Sequence, residues 1–189
     1  MERQSTLGLV TSVDGDIINK IPPHGTQVEL GAYVPLVLFL RHPARVEVAH
    51  DPSGILTALC LAWHDALLSR DLIRLVSAAG YDDPVYGTLK ALCDYEQQCL
   101  RSTLEYYLRR LRFVQLDSRD VSDLVRIYGH SDTLFWWWQL PCANDDDLDE
   151  AMRRDATVIG IGHNLSSRFD IFGNWKFGAQ QWQVGILSR

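Results

Sequence analysis

The chain has 189 residues, of which 47% are hydrophobic, 10% aromatic and 22% charged. That is a globular composition, long enough to bury a real core, and it excludes disorder over the whole length. The net charge of −6 disfavours a general affinity for nucleic acid or an anionic membrane.

Residues 1–50 read as strands. Leu7, Leu9, Thr11 and Val13 alternate with smaller or polar partners, and Asp14-Gly15 supplies a hairpin turn into 16–18. Further strands are expected over 26–30, 34–40 and 45–49, with 34–40 apolar on both faces and therefore central. The middle reads as helical. Ser53 stands as an N-cap before Leu56, Leu59, Trp63 and Leu67, and Gly80 ends that element. Asp83-Pro84 starts a second, long helix reaching about Phe113. Shorter helices are expected over 119–128 and 148–154. The tail returns to strands over 157–161, 168–172, 175–177 and 182–187, with a turn at Gly173-Asn174.

Strands, then helices, then strands predict one α+β domain over 1–189. Its N- and C-terminal strands form one antiparallel sheet against a central block of three to four helices. The start lacks the basic region and apolar run of a removable leader, and the most apolar stretch, 33–40, is far shorter than the roughly 20 residues that span a bilayer. A soluble, cytoplasmic protein is expected. Cys60, Cys93, Cys99 and Cys142 show no CxxC spacing and read as reduced thiols.

Four clusters could carry chemistry. Cys60 and His64, four residues apart on a helix, share a face and with Asp65 form a candidate metal site. The adjacent His64-Asp65 resembles the paired ligands of HD-type phosphohydrolases, which take further His and Asp ligands from other helices. The resemblance implies metal-dependent hydrolysis. Glu96 falls within the apolar seam of the long helix, where a buried carboxylate can act as a base or ligand. Gly160, Gly162, Asn164 and Arg168 form a strand-end loop able to cradle an anion, although the spacing matches neither the dinucleotide fingerprint nor a P-loop.

Trp136, Trp137 and Trp138 are the least ordinary stretch, because three consecutive side chains cannot face one way on a helix or a strand, so the run is either a buried element packed on both faces or part of an interface. They stand beside the acidic run Asp145, Asp146 and Asp147. Together they suggest an aromatic and acidic surface for a protein partner with a basic face. No complete catalytic set or cofactor motif is present in the sequence. The reading is a non-enzymatic protein-binding role, as an inhibitor, immunity-type or adaptor protein, with self-association an option. The metal hydrolase and the small-anion or nucleotide binder are the alternatives.

Overall fold

The computed structural model describes residues 21–80, 83, 85–95, 100–138, 145–177 and 180–188. The expected strands before residue 20, Glu96, Cys93, Cys99 and Cys142 lie outside what is said below. Seven strands form one sheet: β1 (Thr26–Leu30), β2 (Val46–His50), β3 (Gln115–Asp117), β4 (Thr133–Trp138), β5 (Thr157–Gly162), β6 (Phe169–Phe177) and β7 (Gln180–Leu187). Their order is β3-β2-β1-β4-β5-β7-β6. Strands β3, β2, β1, β4 and β5 pair in parallel, and only the contacts of β7 with β5 and β6 are antiparallel.

The mixed content of helices and one sheet agrees with the expected class in coarse form. The antiparallel arrangement expected from the sequence is corrected, and the physical reason lies in the connections. Parallel neighbours need a crossover that returns the chain to the same end of the sheet, usually a helix. Such helices are α1 (Leu36–Leu40), α2 (Ile55–His64), α3 (Ala66–Ala78), α4 (Tyr86–Tyr95), α5 (Leu100–Leu111), α6 (Val121–Tyr128) and α7 (Asp145–Arg153). The stretch 34–40, expected as a strand, supplies the first crossover. Pro35 precedes the helix, and the carboxylate of Glu29 accepts hydrogen bonds from the amides of Val37 at 3.2 Å and Leu38 at 2.9 Å. That carboxylate satisfies donors which a helix start leaves unpaired. Uniform burial of residues 36–39, not strand geometry, explains why the segment is apolar on every side.

The expected helix from Ser53 begins at Ile55 instead, with Gly54 as its N-cap residue and the Asp51 side chain serving its first amides. The Asp51 carboxylate accepts from the amides of Leu56 and Thr57, each at 3.0 Å, while Gly54 adopts the left-handed φ of 69°. Asp65 then breaks the helix, and its side chain receives the amide of Leu68 at 3.0 Å to start α3. Asp83 caps α4 through the amides of Val85 and Tyr86.

Both faces of the sheet are covered. On one face Ala49, Leu134, Trp136, Ile159 and Val184 pack with apolar residues of α1 to α5. On the other Val28, Leu30, Val48, Phe135, Trp137 and Val158 pack with Leu124 and Val125 of α6 and Leu148 and Ala151 of α7. A parallel strand buried on both sides needs a continuous apolar run. The tryptophan run meets that demand, since Trp136 and Trp137 point to opposite cores from a central strand. Trp136 is 1% exposed, donates from Nε1 to Gln27 Oε1 at 3.4 Å, and lies 5.4 Å beneath the guanidinium of Arg41.

Candidate functional site at the carboxyl ends of the parallel strands

In open α/β sheets the crevice outside the carboxyl ends of the strands, where the strand order reverses, is the place a ligand occupies. Here β1 lies between β2 and β4, so the reversal falls at β1 and β4. The strand ends are aligned there: Leu30 is opposite Trp137, and His50 is opposite Asp117. Gly31, directly after β1, turns the chain with a φ of 78°, a left-handed conformation that glycine adopts without steric cost. Beneath it, Glu29 is 1% exposed and also accepts the indole Nε1 of Trp138 at 2.8 Å. Burial pushes this carboxyl up to about 7, against the pull of its donors Leu38, Trp138 and Val37.

The β2 and β3 side is rich in polar groups. The amide of Asp51 donates to the carbonyl of Asp117 at 2.8 Å, which ties the two strand ends together. The Asp51 carboxylate holds three hydrogen bonds, the third from Thr57 Oγ1 at 2.9 Å, and a carboxylate has roughly four acceptor sites. Asp117 receives Arg119 Nε at 2.9 Å and the Tyr128 hydroxyl at 3.1 Å. The Arg119 guanidinium holds its carboxyl down at about 2. His50 differs from both. It is 9% exposed, yet neither ring nitrogen has a hydrogen-bond partner among the described residues. Burial lowers its pKa, while the Arg119 backbone, close enough to act as a weak hydrogen-bond partner but outside normal hydrogen-bond geometry, and the carboxylates of Asp117, Asp51 and Asp120 act in the opposite sense.

The β4, β5 and β7 side is aromatic. The Trp138 and Trp182 rings meet edge to face with centroids 5.8 Å apart, and His163 stacks on Trp182 at 4.0 Å and 32°.

The residues singled out in the sequence lie mostly elsewhere. Trp136 and Trp137 are core residues, 1% and 5% exposed, and Trp138 is half-buried. The expected exposed aromatic surface is therefore absent at Trp136 and Trp137, because a central strand turns them into two cores. Asp145 and Asp146 are exposed at the start of α7, but Asp147 is buried and its carboxylate accepts the hydroxyl of Ser122 at 2.5 Å. Gly160 and Gly162 are buried in β5, and a Cβ at Gly160 would come within 2.7 Å of the Phe169 ring. Close packing accounts for that glycine. Arg168 is paired with Asp145 at 3.1 Å and with Asp149, while Asn164 is exposed.

Cys60 is half-buried, and burial raises its thiol pKa. His64 takes a hydrogen bond from Arg112 Nε on Nε2 at 3.2 Å and has the Arg112 guanidinium 3.0 Å from Nδ1, so both nitrogens able to ligate a metal face a cation, and Asp65 caps α3. Among the described residues no group of three His, Cys, Asp or Glu side chains is placed to hold a metal ion, and no helix is long and apolar enough to cross a membrane.

Sequence reasoning missed His50, Asp51 and Gly31 as a set. The available signal was the spacing, since Asp51 stands twenty residues after Gly31. That is the distance at which a dinucleotide-binding unit places its ribose-binding acid. With 34–40 read as a strand, no strand–turn–helix unit was there to give the spacing meaning.

No family model matches the chain, and no curated protein matches it. Solved structures do match. They include a conserved hypothetical protein of Streptococcus pyogenes, with 8% sequence identity, 93% of this chain and 96% of that chain covered, and a TM-score of 0.49.

Proposed function

We propose that this protein binds a small nucleoside-type ligand in the crevice at the carboxyl ends of β1, β2 and β3, with His50 and Asp51 as its polar contacts. The observation that carries the reading is His50, nine-tenths buried with neither ring nitrogen in a well-formed hydrogen bond among the described residues. An unsatisfied buried polar group costs about 1–3 kcal/mol, and a ligand that hydrogen-bonds to it offsets this cost. A neutral imidazole offers one donor and one acceptor. That pair, with the remaining acceptor site of Asp51, suits the vicinal hydroxyls of a ribose.

The surroundings also limit the class of ligand. A diphosphate needs a glycine-rich turn and free amides at a helix start. Here Gly31 is followed by Ala32 and Tyr33, and the amides of Val37 and Leu38 already serve Glu29. Asp51, Asp117 and Asp120 make the neighbourhood of His50 acidic. A neutral or cationic nucleoside fits this setting, and a phosphorylated one does not. Isothermal calorimetry with adenosine, the cationic S-adenosylmethionine and the anionic ATP tests the reading. Binding of either of the first two, with ATP at least about tenfold weaker, supports it, and equal affinity for ATP or no binding of the three overturns it. A protein-binding role through the acidic run keeps the support of the exposed Asp145 and Asp146 alone.

A further inference from the structure

We infer that Trp138, Trp182 and His163 form a second ligand subsite, for a planar heteroaromatic group, on the opposite side of the β1/β4 reversal from His50. The inference rests on the crevice reading above for its location and on the ring geometry for its chemistry.

The stack is anchored at its base. Glu29 Oε1 accepts Trp138 Nε1 at 2.8 Å from within the core, which fixes the orientation of that indole. Trp138 meets Trp182 at 78°, and Trp182 carries the His163 imidazole at 4.0 Å and 32°. The loop bearing His163 is tied down as well, since the amide of Leu165 donates to Gln183 Oε1 at 2.9 Å and Gly162 pairs with Gln183. Exposure increases outward: both tryptophans are half-buried and His163 is exposed. Large planar side chains aligned from a buried carboxylate to the surface, beside a ligand crevice, are arranged to receive another ring.

The imidazole itself indicates the chemistry. Trp182 already holds a planar nitrogen heterocycle in close contact at 4.0 Å, while its pairing with Trp138 at 5.8 Å has the edge-to-face geometry aromatic rings prefer. A ligand ring extends the stack on the His163 side. A saturated ring lacks the π-face that makes the contact favourable. The subsite therefore selects flat heteroaromatic compounds over saturated ones of similar size.

Ligand-observed NMR on the full chain tests this with neutral indole against cyclohexylmethanol, a saturated neutral compound of similar size. Indole is expected to bind at least about tenfold more tightly. His163→Ala should weaken indole about tenfold, and His163→Phe, which keeps a ring there, should restore it, with the melting temperature of both variants confirming that they fold. Equal binding of the two compounds, no indole binding, or unchanged affinity in His163→Ala overturns the subsite. Adenosine binding in the same samples keeps the two claims apart. If indole behaves as expected and adenosine fails, the crevice reading falls and the subsite stands; the reverse pattern removes the subsite alone.

Discussion

At the carboxyl ends of β2 and β3, Asp51 and Asp117 have well-formed hydrogen bonds, but among the described residues His50 has none. At β4 and β5 the side chains are engaged by packing instead: Trp136 and Trp137 fill two cores, and the Phe169 ring closes over Gly160. The difference teaches where to look for a ligand. The motif-like residues of β4 and β5 are explained by packing, whereas the plain residue His50 is left chemically unfinished. Substitution of Trp136 or Gly160 should therefore lose stability, and substitution of His50 should lose binding.

The largest effect is expected at Trp136. Its truncation to alanine removes a side chain 1% exposed, and such changes cost about 3–5 kcal/mol. Urea denaturation should show that loss. A loss below about 1 kcal/mol would mean the tryptophan run is not core. Gly160→Ala should follow, costing about 1–3 kcal/mol by overpacking, because the added Cβ would lie 2.7 Å from the Phe169 ring and 3.1 Å from Leu165. A neutral outcome would return Gly160 to the anion-cradle reading.

A pH dependence is expected from the two buried acids. The Glu29 carboxyl is raised from 4.5 to about 7 in the folded chain. Its contribution to stability is therefore fully present below 4.5 and is lost as pH climbs through about 7. Asp117 is lowered from 3.8 to about 2, so its contribution is present above 3.8 and is lost as pH falls through about 2. The melting temperature should thus decline from about pH 5 to pH 8, and Glu29→Gln should flatten that slope. An unchanged slope in the variant would show that another group carries it.

Much of the fold is legible in local chemistry. Strand β1, the Asp83 cap and the strands of the tail follow from alternation and capping residues in the sequence, whereas the turn expected at Gly173-Asn174 is corrected: both residues lie within the continuous strand β6, which carries a bulge between Ile171 and Gly173. The parallel topology is not legible, for two reasons that can be named. Residues 36–39 are apolar on all sides because they are buried on all sides, and periodicity cannot distinguish a short buried helix from a buried strand. Strand β3 has three residues, Gln115–Asp117, too few for alternation to register. With one crossover read as a strand and one strand unseen, the alternation of strand and helix disappears.

The candidate site was hidden by the same misreading. Gly31 and Asp51 acquire their relation only across a strand–turn–helix unit. His50 has no sequence signature, because its distinction is the absence of a partner in three dimensions.

The most direct measurement pairs the melting temperature with adenosine affinity for His50→Leu. Leucine fills the same space without leaving ring nitrogens unpaired, and replacing an unsatisfied buried polar group with an apolar one is neutral or stabilising. The variant should melt at the same temperature or higher and lose adenosine binding by at least about tenfold. A lower melting temperature with unchanged binding would make His50 a structural residue and contradict the crevice as a ligand site.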